Sequence, residues 1–272
     1  MIDIHCHILP GIDDGARDPT TSLAMARMAV EDGIEAIVCT PHITPGIYDN
    51  DALVIYDALE RLQDDLAREN IALQLFAGAD IHVSPDMGPR LESGAWPSIA
   101  GARYFLFEPP HHVLPPNLLN LAKDLLGRGL VPVLTHPERL TWIEKHYDVI
   151  TALDEAGAVV QITSGAITGR FGDRPKYWSR RLLEEGRVDV IATDAHSVHG
   201  RPPLLAEGRE AAARIVGEGA AWDMVHANPL RILNGQPLPS KRRKRGTGMQ
   251  DRRVKKGHRK MPQGLFGWLK KG

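Results

Sequence analysis

Seven short apolar stretches, separated by stretches of helical period, predict an α/β fold built from parallel strands. The stretches are Met1–His7, Glu35–Thr40, Leu73–Ala79, Arg103–Glu108, Leu130–His136, Ala158–Thr163 and Val188–Thr193. Most are apolar throughout, as strands covered on both faces should be. Strand and helix alternate along the chain, which admits an α/β barrel or a doubly wound sheet. Right-handed crossovers make the barrel the natural form. No sequence repeat accompanies this architectural one.

Taken in order, the first strand carries Ile2, Ile4, Cys6 and Ile8 in alternation with Asp3, His5 and His7. Residues two apart on a strand share a face, so His5 and His7 should point together, with the apolar set opposite. Pro10-Gly11 then turns the chain into Asp13-Asp14-Gly15, which can bring a carboxylate back over the pair. Helical patterns follow at Thr20–Asp32, Asp51–Glu69, Lys145–Ala156, Trp178–Glu185 and Leu205–Val216. A further helix has Leu118, Leu121, Ala122 and Leu125 on one stripe, Asn117 as its expected N-cap, and Gly127 and Gly129 at its end.

The 272 residues allow one large domain or two small ones, and 43% hydrophobic content supports a real core. No run approaches the roughly 18 apolar residues of a membrane span. The N-terminus lacks the basic and apolar regions of a signal peptide. With only Cys6 and Cys39, no disulfide framework is expected, and the chain reads as cytoplasmic. The net charge of −1 hides a segregation. Pro237–Gly272 holds 13 Lys and Arg against one acid, Asp251, leaving 20 basic and 33 acidic residues in the rest. The expectation is an acidic globular domain over 1–238. A disordered basic tail follows at 239–272, ending in an apolar cluster of Leu265, Phe266, Trp268 and Leu269.

The strand ends carry the chemistry. They finish at His5 and His7, Thr40-Pro41-His42, Gly78-Ala79-Asp80, Phe107-Glu108, Thr135-His136 and Thr193-Asp194-Ala195-His196. The sixth ends more mildly, at Gln161-Ile162-Thr163-Ser164. In a parallel barrel these ends meet on one rim, where active sites are built. Singly, each His is as readily a solvated loop residue, Asp14 a turn former and Asp80 a helix cap. Together, five imidazoles and four carboxylates on one rim point to metal, because clustered carboxylates without cations raise one another's pKa. Nine ligands suit two or three ions. Three divalent ions against four carboxylates leave two positive charges, which match a phosphomonoester's charge of about −2. Mixed His and carboxylate ligation suits Mn, Fe or Zn. Arg139, in His-Pro-Glu-Arg, and Arg201, in HSVHGRPP, are placed to clamp a phosphate with bidentate guanidinium forks.

The motifs His-x-His, Asp-Asp-Gly, Thr-Pro-His, Gly-Ala-Asp, Phe-Glu, His-Pro-Glu-Arg, Gln-Ile-Thr-Ser-Gly and Asp-Ala-His…Arg-Pro occur in that order. The set resembles the PHP (polymerase and histidinol phosphatase) superfamily. Within it, the chain is similar to the manganese-dependent tyrosine phosphatases of capsular and exopolysaccharide operons, the CpsB/CapC group. The likeness runs from Met1 to about Leu238 and leaves the tail uncovered. It implies a distorted (β/α)7 TIM-like barrel with a trinuclear centre, Mn2+ as cofactor with Fe or Zn as alternatives, and phosphotyrosine hydrolysis. The implied substrate is a bacterial membrane tyrosine kinase controlling polysaccharide export. The resemblance carries ligand roles onto His5, His7, Asp14, His42, Asp80, Glu108, His136, Asp194 and His196, and phosphate contacts onto Arg139 and Arg201. Asp80 stands where the family usually has Glu.

Asp194 or an outlying water is the expected source of a proton for the phenolate leaving group. A cysteine mechanism is excluded, since Cys6 and Cys39 are followed six residues on by Ile12 and Pro45 rather than Arg. His82 is expected to line the substrate at most. His111, His112 and His199 read as rim or solvent residues, with His199 the one to test as an acid. The alternatives are a PHP phosphoesterase acting on histidinol phosphate or nucleic acid, or a metal-stabilised adaptor without activity. The acidic body argues against nucleic acid, and the basic tail suggests contact with an anionic membrane.

Overall fold

A computed structural model of the chain describes residues 1–241, so the expected tail lies outside the described residues from position 242 onward. The strands are β1 (Ile2–Cys6), β2 (Ala36–Cys39), β3 (His42–Ile43), β4 (Gln74–Ala77), β5 (Asp80–His82), β6 (Tyr104–Glu108), β7 (Val131–Leu134), β8 (Val159–Thr163) and β9 (Val190–Ala192). All pair in parallel, in the orders β1-β2-β4 and β3-β5-β6-β7-β8-β9. The second and third expected strands are therefore each broken in two. Pro41, without an N–H, interrupts the second. Gly78 interrupts the third, where a Cβ would lie 2.7 Å from Val38 Cγ1. Backbone bonds from Gly78 N to Cys39 O and from Asp80 N to Pro41 O, both 3.0 Å, carry the pairing across the breaks. His7 N to Ala195 O and Asp194 N to His5 O, both 2.8 Å, join the ends of β1 and β9. The result is a distorted barrel of seven strand paths.

Among the described residues ten α-helices accompany the strands: α1 (Pro19–Glu31), α2 (Ala52–Arg68), α3 (Met87–Glu92), α4 (Leu118–Gly127), α5 (Tyr147–Ala156), α6 (Ser164–Thr168), α7 (Asp173–Glu184), α8 (Ala206–Val216), α9 (Glu218–Trp222) and α10 (Asn228–Leu233). Asp18 and Asp51 cap α1 and α2 by accepting the N–H groups of Thr21 and Val54. Asn117 precedes α4 as expected, but it is left-handed at φ 59° and makes no side-chain cap. Among the described residues no helix is long and apolar enough to cross a membrane.

The core has two layers. Ile2, Ile4, Val38, Leu106, Val133, Val159 and Val190 fill the barrel interior, and Ile37, Cys39, Phe105, Phe107 and Ile191 face the helices. This corrects the simple alternation expected of β1. Its register against β2 shifts between Asp3 and Cys6. Ile4 consequently stays with the interior set while Cys6 and Ile8 join the outer one. A bulge of this kind re-aims the residues beyond it, and it turns His5 and His7 into the mouth above Ile4.

At the opposite end, where strands begin, Asp154 and Asp189 are buried. Lys241 Nζ lies 2.6 Å from Asp154 Oδ1 and 2.5 Å from Asp189 Oδ2, and Arg187 Nη1 lies 2.8 Å from Asp154 Oδ2. Lys241 is thus tied into the body, beyond the boundary expected at Leu238.

Candidate metal centre and phosphate clamp

The strand ends deliver their side chains to one mouth. His5 Nδ1 meets Gln161 Oε1 at 3.0 Å, and His7 Nδ1 meets the Asp13 carboxylate at 2.7 Å. With each Nδ1–H donating to these acceptors, both Nε2 atoms present lone pairs. Yet the two Nε2 atoms stand 3.2 Å apart. Asp194 Oδ1 lies 3.3 and 3.4 Å from them, and Asp80 Oδ2 lies 3.3 Å from His5 Nε2. Lone pairs and carboxylate oxygens gathered this closely suit a cation among them.

The neighbouring groups repeat the pattern. Asp14 Oδ1 is 3.3 Å from His196 Nε2 and 3.5 Å from His42 Nε2. His42 Nδ1 is 3.5 Å from both Asp80 Oδ2 and Glu108 Oε2. Glu108 Oε1 is 3.7 Å from His136 Nε2 and 3.5 Å from His111 Nε2. Both oxygens of Asp80, Nδ1 of His42 and of His136, and Nε2 of His196 are buried without a hydrogen-bond partner. Buried polar groups are ordinarily paired, so this donor set fits divalent ions. Five overlapping groups of three or four residues could each hold one: His7, Asp14, His42 and His196; His5, His7 and Asp80; His5, His136 and Asp194; His42, Asp80 and Glu108; and Glu108, His111 and His136. All nine residues singled out from the sequence fall in these groups. Asp80, though shorter than Glu, still reaches toward both His5 and His42.

The electrostatics suit ligation, which needs ionised carboxylates and neutral imidazoles. Burial would raise Asp194, but Arg201, His5 and Arg139 hold it well below the usual carboxylate range. Close contact with His196, whose Nε2 lies 3.3 Å from Oδ1, draws Asp14 down. Burial, aided by the charge of Arg139, pushes His136 down, and burial beside His7 lowers His196 to about 4. His5 and His7 are the reverse: burial would lower both, but Asp194 and Asp80 hold His5 up, and Asp13 and Asp194 hold His7 up at about 10.

Local backbone aims several of these groups. His136 (φ 32°) and Asp194 (φ 51°) are left-handed, a rare and costly state for non-glycine residues that clusters at functional sites. Gly15 lies so close to β1 that a Cβ there would be 2.2 Å from His7 O. Only glycine lets this loop fold back and bring Asp13 and Asp14 to the mouth.

Arg139 Nη1 and Arg201 Nη2 both donate to Asp194 Oδ2, so the two guanidiniums meet at one point beside the imidazoles. Arg201 Nε is buried without an acceptor. Asp194 is thus engaged through both oxygens, Oδ2 by the arginines and Oδ1 beside His5 and His7.

Three contributors escaped the sequence reading. Asp13 orients His7 and also accepts from His42 N and Gly15 N. Gln161 orients His5. His111, expected at the rim, faces Glu108 inside a possible metal group. His82 Nδ1 lies 3.8 Å from Glu108, His112 contacts Thr141, and His199 is exposed. The paired aspartates of Asp-Asp-Gly were the available signal for Asp13, since a His ligand normally donates its other N–H to a carboxylate or carbonyl.

Fold and site together define a parallel α/β barrel whose C-terminal rim gathers candidate metal ligands beside two arginines. Residues 1–234 match the model of the CpsB/CapC family of capsular polysaccharide synthesis, and the chain belongs to that family. It is 36% identical over 250 residues to the tyrosine-protein phosphatase YwqE of Bacillus subtilis, covering 90% of this chain and 98% of the relative. The tyrosine-protein phosphatase CpsB of Streptococcus pneumoniae is 27% identical, over 87% of this chain and 99% of its own. A crystal structure from work on YwqE and CpsB, described as unique metal-dependent tyrosine phosphatases, superimposes with a TM-score of 0.83 at 36% identity. It covers 89% of this chain and 100% of that one.

Proposed function

We propose that the chain is a metal-dependent protein tyrosine phosphatase that hydrolyses phosphotyrosine on a protein of capsule or exopolysaccharide synthesis. The observation that carries this reading is the pair of His5 and His7 lone pairs facing Asp80 and Asp194, with two arginines converging beside them. The relatives named as tyrosine-protein phosphatases favour it over histidinol phosphate or nucleic acid as substrate.

The nine residues above, with His111 as a tenth donor, hold two or three divalent ions, Mn2+ first among the metals to test and Fe or Zn after it. Such ions supply Lewis acidity and lower the pKa of coordinated water from about 15.7 toward about 7. The chain's own contribution is positional. Gln161 and Asp13 fix the tautomers of His5 and His7 so that Nε2 faces inward. Arg139 and Arg201 exchange part of their hold on Asp194 for phosphoryl oxygens, matching them with forked donors and offsetting charge that builds in the transition state. Arg201 Nε, buried without an acceptor, is ready for one of them. The phenolate, with an ordinary pKa of about 10, needs only modest protonation on leaving.

The test compares a phosphotyrosyl peptide, histidinol phosphate and a 3′-recessed duplex, each with and without EDTA. Chelator-sensitive turnover of the peptide above the other two is expected. Equal turnover in EDTA would end the metal reading.

The substrate in this proposal is a membrane tyrosine kinase. The basic segment after Lys241 brings the enzyme to the anionic inner face of the membrane, since each basic residue near such a surface contributes about 1 kcal/mol. The charge segregation supports this location. Sedimentation with anionic liposomes should fall when the chain is cut after Lys241, a cut that spares its ion pairs. Equal sedimentation overturns the membrane role alone.

A further inference from the structure

The loop after β8 supplies none of the nine expected ligands, yet it projects an aromatic ring between the loops that carry the two arginines. Phe171 sits between left-handed Gly169 (φ 97°) and Gly172 (φ 90°). Its ring lies against Gly165, where an added Cβ would come within 3.0 Å of Cε2. The loop is closed on itself by Arg170 N to Gly165 O at 2.7 Å and Gly172 N to Gly169 O at 2.9 Å. Arg139 Cζ stands 4.7 Å from the centre of the Phe171 ring, and Arg201 Cζ stands 6.0 Å from it. One half-buried ring thus serves two guanidiniums that arrive from different strands, after β7 and after β9.

We propose that Phe171 is a positioning residue for the phosphate clamp, holding Arg139 and Arg201 in register when a phosphoryl group draws them from Asp194. The inference rests on the reading of these arginines as phosphate ligands. In the structure a single oxygen, Asp194 Oδ2, accepts from both. A tetrahedral anion spreads its acceptors, so the guanidiniums must part from that shared point. Long side chains released in this way regain rotamer freedom unless something else holds them. A ring face attracts a guanidinium without taking its N–H donors in the plane, which leaves those donors for the anion. The backbone of Arg139 is held separately, by Arg174 of α7 reaching the carbonyls of Arg139 and Leu140. Phe171 therefore acts on the charged ends rather than on the fold of the loop.

The experiment uses the full Mn2+-loaded chain and compares wild type with Phe171→Leu and Phe171→Tyr. Leu keeps an apolar side chain but no ring, and Tyr restores the ring. Calorimetric titration with inorganic phosphate is the first readout; KM and kcat on a phosphotyrosyl peptide are the second, and Tm is the third. Phe171→Leu should weaken phosphate binding about five- to tenfold, raise KM more than it lowers kcat, and leave Tm near wild type. Phe171→Tyr should return to within about twofold of wild type. Unchanged phosphate affinity in the Leu variant overturns the proposal. So does a Tyr variant as impaired as Leu, which would make the role one of packing. Failure of the wild type to hydrolyse the peptide would refute the phosphatase reading instead, while phosphate titration still decides the role of Phe171.

Discussion

The two ends of the barrel bury charge in opposite ways. At the closed end the chain supplies its own cations: Lys241 and Arg187 neutralise Asp154, and Lys241 also meets Asp189. At the mouth, Asp80 is fully buried with neither oxygen hydrogen-bonded, and its near neighbours are imidazoles. Among the described residues only Asp194 there meets arginine. Buried charge is tolerated when it is paired. One end is therefore complete as folded, and the other is the end at which the proposed ions would complete the pairing. The difference separates a structural network from a site.

The largest effect that would sharpen this contrast is removal of metal. EDTA should abolish phosphotyrosyl-peptide hydrolysis, and added Mn2+ should restore it, while circular dichroism shows the fold intact. Loss of the fold on chelation would mean that the mouth, too, is structural. Next come single residues of the mouth. His136→Ala should lower kcat/KM by more than about 100-fold, and Asp13→Asn, which disturbs the orientation of His7 and the bonds from His42 N and Gly15 N, by about 10- to 100-fold. Asp80→Asn should do as much damage as His136→Ala yet raise the Tm of ion-free protein, because one of several facing acceptors loses its charge. A lower Tm for that variant would contradict the assignment of Asp80 to an ion-completed cluster.

The closed end should behave in reverse. Lys241→Met leaves two buried carboxylates sharing less positive charge. It should cost about 3 kcal/mol, at the low end for a broken buried pair because Arg187 still meets Asp154. Peptide hydrolysis by the folded fraction should not change; urea denaturation and kinetics at low temperature check both. A smaller, pH-dependent effect is expected at Glu185. Burial would raise its carboxyl, but the Tyr147 hydroxyl, Arg181 and Arg187 hold it below the ordinary value of 4.5. A depressed carboxyl contributes stability above the unfolded pKa and loses it as pH falls through the folded one. Glu185→Gln should thus lower Tm by a few degrees at pH 7, for about 1 kcal/mol, and by progressively less below pH 4.5. The smallest effect belongs to Cys6→Ser, which should keep its activity. Cys6 is fully buried in the outer core layer, and burial pushes its thiol well above the ordinary range.

Much of this was legible along the chain. Apolar stretches mark the strands because a strand covered on both faces must be apolar throughout. Polar residues at their ends mark the rim because parallel strands deliver all their C-termini to one side. Less legible were features that depend on pairing across the barrel. The breaks that split the second and third strand paths show only as Pro41 and Gly78. The bulge in β1 leaves no mark in composition, since it is a shift of register against β2. Asp13 and Asp14 are adjacent in sequence and chemically alike. Their different roles, one orienting His7 and the other facing His42 and His196, arise from the close approach of Gly15 to β1.

The fold class and the donor types at each strand end follow from the chain alone, because local pattern and residue chemistry are its own properties. Tertiary structure decided which donors face one another. It set the His5 and His7 nitrogens among carboxylates, brought Arg139 and Arg201 to one oxygen, placed Phe171 beneath them and tied Lys241 to the closed end. Those relations join residues far apart in the chain, as His5 meets Asp194. Only closure of the barrel brings such residues within hydrogen-bonding distance.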